Sequence, residues 1–235
     1  MDAYGTREIG AGRVDAAERI TTFLRAVYGW MFVGLAVTAV VAFAVSSSPA
    51  VVGTLVSNPI LFFALIAGEL GLVFYLSARA AKLAPGTASA LFLGYSALNG
   101  VTLSLVLLAY TGESVVNTFV VCAIMFGALA AYGTTTSRSL AGVGQFMFMG
   151  LVGLIVASLV GMFWQNDTLQ FVIACVGVLV FTGLTAWDAQ RLKEMAVQLP
   201  QGSEGSYAVV GALSLYLNFI NLFLMLLRFF GNSRD

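Results

Sequence analysis

FTGLTAWDAQRLKE (181–194) and GALSLYLNFINLFLMLLRFFG (211–231) are the two stretches on which the reading of this chain turns. Each belongs to a longer apolar run, 171–188 and 207–230. One acid, Asp188, ends the first run, and two amides, Asn218 and Asn221, sit inside the second. Polar groups set this deep in apolar sequence are costly and mark functional or structural contacts. At about 100° per residue, Tyr207, Gly211, Ser214, Asn218, Asn221 and Arg228 share a stripe about 100° wide on the second run. Its other faces are Leu, Phe, Ile, Val and Met. A helix of this kind belongs in the middle of a bundle, its stripe facing a cavity or polar partners. Interhelical hydrogen bonding alone is the plainer use of such Asn and Ser residues.

Outward from these runs the class of protein follows from composition. Hydrophobic residues make up 60% of 235 and charged residues only 9%, against roughly 25% charged in a soluble domain. Such a chain cannot cover itself with polar surface, so lipid is part of its solvent. The formal net charge is zero, which gives no argument for nucleic acid. Without histidine, His-based triads, HExxH zinc sites and imidazole switches are excluded. Cys122 and Cys175 lie in apolar runs and read as packing residues. No cofactor is expected.

Seven runs approach the ~20 residues a bilayer requires: 24–45, 60–77, 87–109, 115–135, 143–163, 168–188 and 207–229. Turn residues separate them: Ser46 to Pro49, Asn58-Pro59, Pro85-Gly86, Gly112-Glu113, Gln165 to Asp167 and Pro200 to Gly205. Backbone in lipid must bond internally, so these runs are helices, and the fold class is an all-α integral membrane protein of seven transmembrane helices. Residues 1–23 mix Arg7, Glu8, Arg13, Asp15, Glu18 and Arg19 and lack the apolar core of a secretory signal. They read as a cytoplasmic tail entering a short amphipathic helix. The membrane domain is 24–230, and 231–235 form a short C-terminal tail. Close helix approach is expected at Gly127 to Ala131, Gly150, Gly153 and Gly161.

Orientation comes from Lys and Arg. With the N-terminus inside, inner segments hold Arg7, Arg13, Arg19, Arg25, Arg79, Lys82, Arg138, Arg191 and Lys193. Outer segments hold Arg234, with Arg228 in the last turn of the seventh helix. That asymmetry puts the N-terminus in the cytoplasm and the C-terminus outside; a re-entrant seventh helix is the alternative.

Three ionisable residues stand out. Asp188 falls near the inner end of the sixth helix, facing Asn218 if that helix continues to Glu194. Arg79, ending the second helix, reaches similar depth. Glu69, mid-way along the second helix, is expected to be protonated or paired and is a pathway candidate with Asn221 and Ser214. Asn99 and Thr102 in the third helix add weaker polar lining.

At these residues the sequence resembles the Bax-inhibitor-1 family, the transmembrane Bax inhibitor motif proteins, in its bacterial branch. The matching strings are FTGLTAWDAQRLKE (181–194) and LSLYLNFINLFLMLLRFFG (213–231). The resemblance implies two three-helix layers around a central seventh helix. It also implies a pH-sensitive calcium leak gated by two proton-sharing aspartates and an arginine latch. Asp188 matches the first aspartate and Arg79 the latch. Asn218 stands where the family has its second aspartate. An amide has the size of a protonated carboxyl and cannot ionise, so the shared-proton response is expected to be blunted here.

Two functions follow as expectations. The first is a cation leak of the cytoplasmic membrane, with calcium held weakly and transiently at Asp188. The second is a regulator that binds and restrains a membrane AAA protease through the basic inner loops and the N-terminal tail. An intramembrane enzyme is disfavoured, because rhomboid-like chemistry needs His and aspartyl chemistry needs two facing acids.

Overall fold

The computed structural model describes residues 3–80, 82–164, 166–200 and 203–232, with side chains described from Ala16 onward except at Met162. Arg234 and the ends of both expected tails lie outside the described residues. Among the described residues the chain forms eight helices: α1 (Ala3–Ser46), α2 (Pro49–Ser57), α3 (Pro59–Arg79), α4 (Pro85–Ala109), α5 (Gly112–Thr135), α6 (Ala141–Phe163), α7 (Asp167–Gln198) and α8 (Glu204–Phe230). Seven are long and apolar enough to cross a membrane, α2 being the exception.

The punctuation in the sequence is what starts these helices. Pro49, Pro59 and Pro85 each occupy the first helical position, where a missing N–H costs nothing. Asn58, Thr111 and Asn166 turn a side-chain oxygen onto the free N–H groups that follow. Two expected boundaries move. The first helix is continuous from Ala3, without a break before the membrane run. The sixth expected helix, α7, continues to Gln198, well past Asp188. The added helix α2 fills what reads as a connection; its Val51 and Val56 are exposed.

The helices form two layers. In one, α4 lies between α1 and α3; in the other, α7 lies between α5 and α6. α8 runs between the layers and packs on α1, α4, α5 and α7. Its Leu213, Leu215, Tyr216, Leu222 and Leu227 are completely buried or nearly so. The outer helices α3 and α6 instead expose Phe63, Phe74, Phe146 and Ile155, the face a bilayer requires. α8 traverses the whole bundle. Near its start Ser206 donates to Leu83 O (2.6 Å), and beyond its end Thr111 N donates to Asn232 O (3.1 Å). Leu83 and Thr111 flank opposite ends of α4, so a re-entrant last helix is not what the chain forms.

Small residues let the layers close, at some of the expected positions and at others besides. A Cβ at Gly133 would strike the carbonyl of Ala186, joining α5 to α7. One at Gly100 would lie 2.7 Å from Thr38 O, joining α4 to α1. Gly150 and Gly161 do meet neighbours, but Gly127 and Gly153 face open space.

Candidate functional site

Asp188 is 7% exposed and Asn218 6%. The long α7 carries Asp188 alongside the first half of α8. There Ser214 Oγ donates to Asp188 Oδ2 at 2.7 Å and Asn218 Nδ2 donates to the same oxygen at 2.8 Å. Ser214 and Asn218 are one helical turn apart, so both reach one acceptor from a single face. Bonds of this length to a carboxylate are charge-assisted and strong. Oδ1 has no hydrogen bond among the described residues, and no polar side-chain atom there is sealed from solvent without a partner. It is therefore the open acceptor at the wall of a cavity of about 300 Å³ that Asp188 lines with Ser77, Arg191, Tyr207, Gly211 and Ser214. The exposed Arg191 in that wall brings the cavity to the basic end of the bundle.

Arg79 is not in this wall. Its guanidinium sits 5.7 Å from the Tyr75 ring centroid, an exposed cation–π contact on α3, and makes no hydrogen bond or ion pair among the described residues. The cation that shares the cavity wall with Asp188 is Arg191, one turn further along α7 and 5.5 Å from the Trp187 ring. Asn221 also leaves the site: its Nδ2 donates back to Leu217 O at 2.8 Å, so it satisfies its own helix. Arg228, at the far end of the stripe, donates to Gln170 at 3.0 Å.

Glu69 belongs to a second cluster on the opposite side of α8. Thr102 and Asn99 of α4 donate to its two carboxylate oxygens. Asn99 Oδ1 accepts from Tyr216 OH at 2.9 Å, and that hydroxyl is 2.6 Å from Thr38 Oγ1 on α1. Tyr216 is wholly buried between Ser214 and Asn218 in sequence and points away from both, as a two-residue step of 200° dictates. A continuous polar path thus joins α3, α4, α8 and α1. The sequence reading does not single out Tyr216; a tyrosine hydroxyl at mid-membrane depth needs a partner, and that is the available signal. Gln190 was missed likewise. It accepts from Leu140 N (2.7 Å) and donates to Arg138 O (2.9 Å), fastening the α5–α6 loop to α7.

No group of three or more acids, cysteines or histidines able to hold a metal occurs among the described residues. Asp188 offers a single carboxylate among neutral oxygens, a donor set that suits passage of a hard cation better than storage.

Fold and site together define a multi-pass membrane protein with a carboxylate held at the heart of a helical bundle. The chain belongs to the Bax-inhibitor-1 family: it matches the family described as "Inhibitor of apoptosis-promoting Bax1" over residues 20–235. It is 47% identical over 218 residues to "Inner membrane protein YbhL" of Escherichia coli K12, covering 92% of this chain and 93% of that one. It is 45% identical over 215 residues to an uncharacterized protein of Borreliella burgdorferi, covering 91% and 93%. An uncharacterized protein of Caulobacter vibrioides is 41% identical over 242 residues, covering 97% and 96%.

Proposed function

We propose that this protein is a cation leak pathway of the cytoplasmic membrane, passing calcium, with its gate at Asp188. The observation that carries the reading is the geometry of that one carboxylate. Ser214 and Asn218 hold Oδ2, and Oδ1 is left open to a cavity that reaches the surface. A buried acid with one satisfied and one open oxygen attracts a cation without trapping it. Arg191, in the same cavity wall, is placed to compete with an arriving cation and so to set the resting occupancy. This site serves passage and not catalysis. Among the described residues, the side chains that hydrogen-bond Asp188 are Ser214 and Asn218, and neither is an acid.

With Asn218 in place of a second acid, the response to pH rests on Asp188 alone. Protonation removes its attraction for a cation, so flux declines at low pH with the shallow profile of one proton. Calcium entry into proteoliposomes of the purified chain across pH 5 to 8 tests this, beside Asn218→Asp and Asp188→Asn. The expected result is a leak with a shallow pH profile, a steep profile in Asn218→Asp, and loss of flux in Asp188→Asn. Absence of flux at every pH in both the native chain and Asn218→Asp overturns it. The regulator of a membrane AAA protease then takes its place, read by co-purification that is lost on deleting residues 1–22.

A further inference from the structure

Between α1 and α5 an apolar groove of about 430 Å³ opens on the outside of the bundle. Tyr28, Met31 and Leu35 form one wall and Gly127, Ala130 and Ala131 the other. Both helices pack on α7 and α8 and scarcely on each other, so the bundle leaves this gap unfilled. Gly127 confirms the space: a Cβ added there meets nothing within 4 Å. The walls run eight residues, seven steps of about 1.5 Å or about 10 Å, within the roughly 15 Å of one leaflet's hydrocarbon.

The end of the groove is charged. Thr134 closes it, and Lys193 Nζ donates to Thr134 O at 2.6 Å. That bond uses one of three ammonium N–H groups. Arg25, exposed, precedes Tyr28 by one turn on the same face of α1. Arg138, also exposed, follows Thr134 by four residues. The acid on this face of α1, Glu18, lies two turns beyond Arg25, about 10 Å further toward water. The sequence of chemistries along the groove is apolar slot, Tyr28, then cations.

We propose that this groove is a binding site for an anionic glycerophospholipid. One acyl chain fills the slot beside Gly127, and the phosphate and headgroup meet Arg25 and Lys193. An apolar slot in a bilayer takes a hydrocarbon chain, and cations at headgroup depth select a negatively charged head. Lys193 caps the last turn of α5 whether or not lipid is bound, so the test must read headgroup preference and not stability.

The full chain in detergent is titrated with phosphatidylglycerol or with phosphatidylcholine of identical chains, and bound lipid is read by native mass spectrometry. Phosphatidylglycerol is expected to bind more tightly. Arg25→Gln with Lys193→Gln is expected to weaken phosphatidylglycerol by about fivefold for each cation removed and to leave phosphatidylcholine unchanged. Gly127→Leu, whose side chain enters open space, is expected to weaken both lipids while the unfolding temperature holds or rises. Equal binding of the two lipids by the native chain overturns the proposal. So does a phosphatidylglycerol preference that survives loss of both cations, or binding that Gly127→Leu does not change.

Discussion

Asp188 accepts two hydrogen bonds on one oxygen, and the identity of the second donor decides how the site answers pH. Replacing Asn218 by Asp puts a second carboxyl where an N–H now donates. Two carboxyls at that separation hold one proton between them at low pH and repel once both are ionised. Asn218→Asp protein is therefore expected to lose thermal stability relative to the native chain as pH rises from 5 to 8. A difference in unfolding temperature that stays constant over that range would remove the argument. On the other side of α8, Tyr216→Phe deletes the hydroxyl shared by Asn99 and Thr38. Interhelical hydrogen bonds in membranes are worth about 1 kcal/mol, so the unfolding temperature is expected to fall by about 2–4 °C. No change in a thermal scan would mean that the hydroxyl path contributes nothing. At this scale Asp188 and its partners were legible, because an acid ending one apolar run and a Ser–Asn pair one turn apart in the next can satisfy one another. Arg79 was not placed correctly, because depth along a helix does not say which way a side chain points. The Tyr216 path was hidden because Thr38, Glu69 and Asn99 come from three separate runs.

Helices in this bundle meet where a glycine removes a Cβ from the path of a neighbouring backbone. Gly133→Ala drives a methyl into the Ala186 carbonyl and must separate α5 from α7. Overpacking of this kind costs about 1–3 kcal/mol. Gly94 in α4 is the control, since a Cβ there meets nothing. Gly94→Ala is expected to gain up to about 1 kcal/mol from helix propensity. Thermal unfolding of both variants in one detergent reads the difference, and equal shifts would show that the α5–α7 approach is loose. The number and order of the long helices could be read from prolines, caps and run lengths. The contact glycines could be read only in part, since a small-residue spacing looks the same facing lipid as facing a helix: Gly150 and Gly161 meet neighbours, Gly127 and Gly153 face open space, and Gly133, outside the expected motifs, meets the backbone of α7. The short α2 escaped because the nine residues between Pro49 and Pro59, only part of them apolar, fall below the length of a span.

Among the described residues, the cations other than Arg228 gather at one end. Arg19, Arg25, Lys82, Arg138, Arg191 and Lys193 all belong to the end where α1 enters and α8 begins, and Arg19 ties the two together. It donates to Leu199 O at 2.7 Å and lies 3.9 Å from the Glu204 carboxylate. At the opposite end, among the described residues, the basic side chain is Arg228, in the last turn of α8. The positive-inside rule then predicts that the cation-rich end faces the cytoplasm. Because α8 crosses completely, the C-terminus is predicted on the other side. Single cysteines at Ser139 in the α5–α6 loop and at Asn232, in a background with Cys122 and Cys175 replaced by Ala, separate the possibilities. A membrane-impermeant maleimide applied to intact cells is expected to label position 232 and to reach position 139 only after permeabilisation. The reverse pattern would invert the molecule and place the Asp188 cavity, which opens at the basic end, on the outer face. Cations would then enter the site from outside, and the direction in which Arg191 guards it would be reversed.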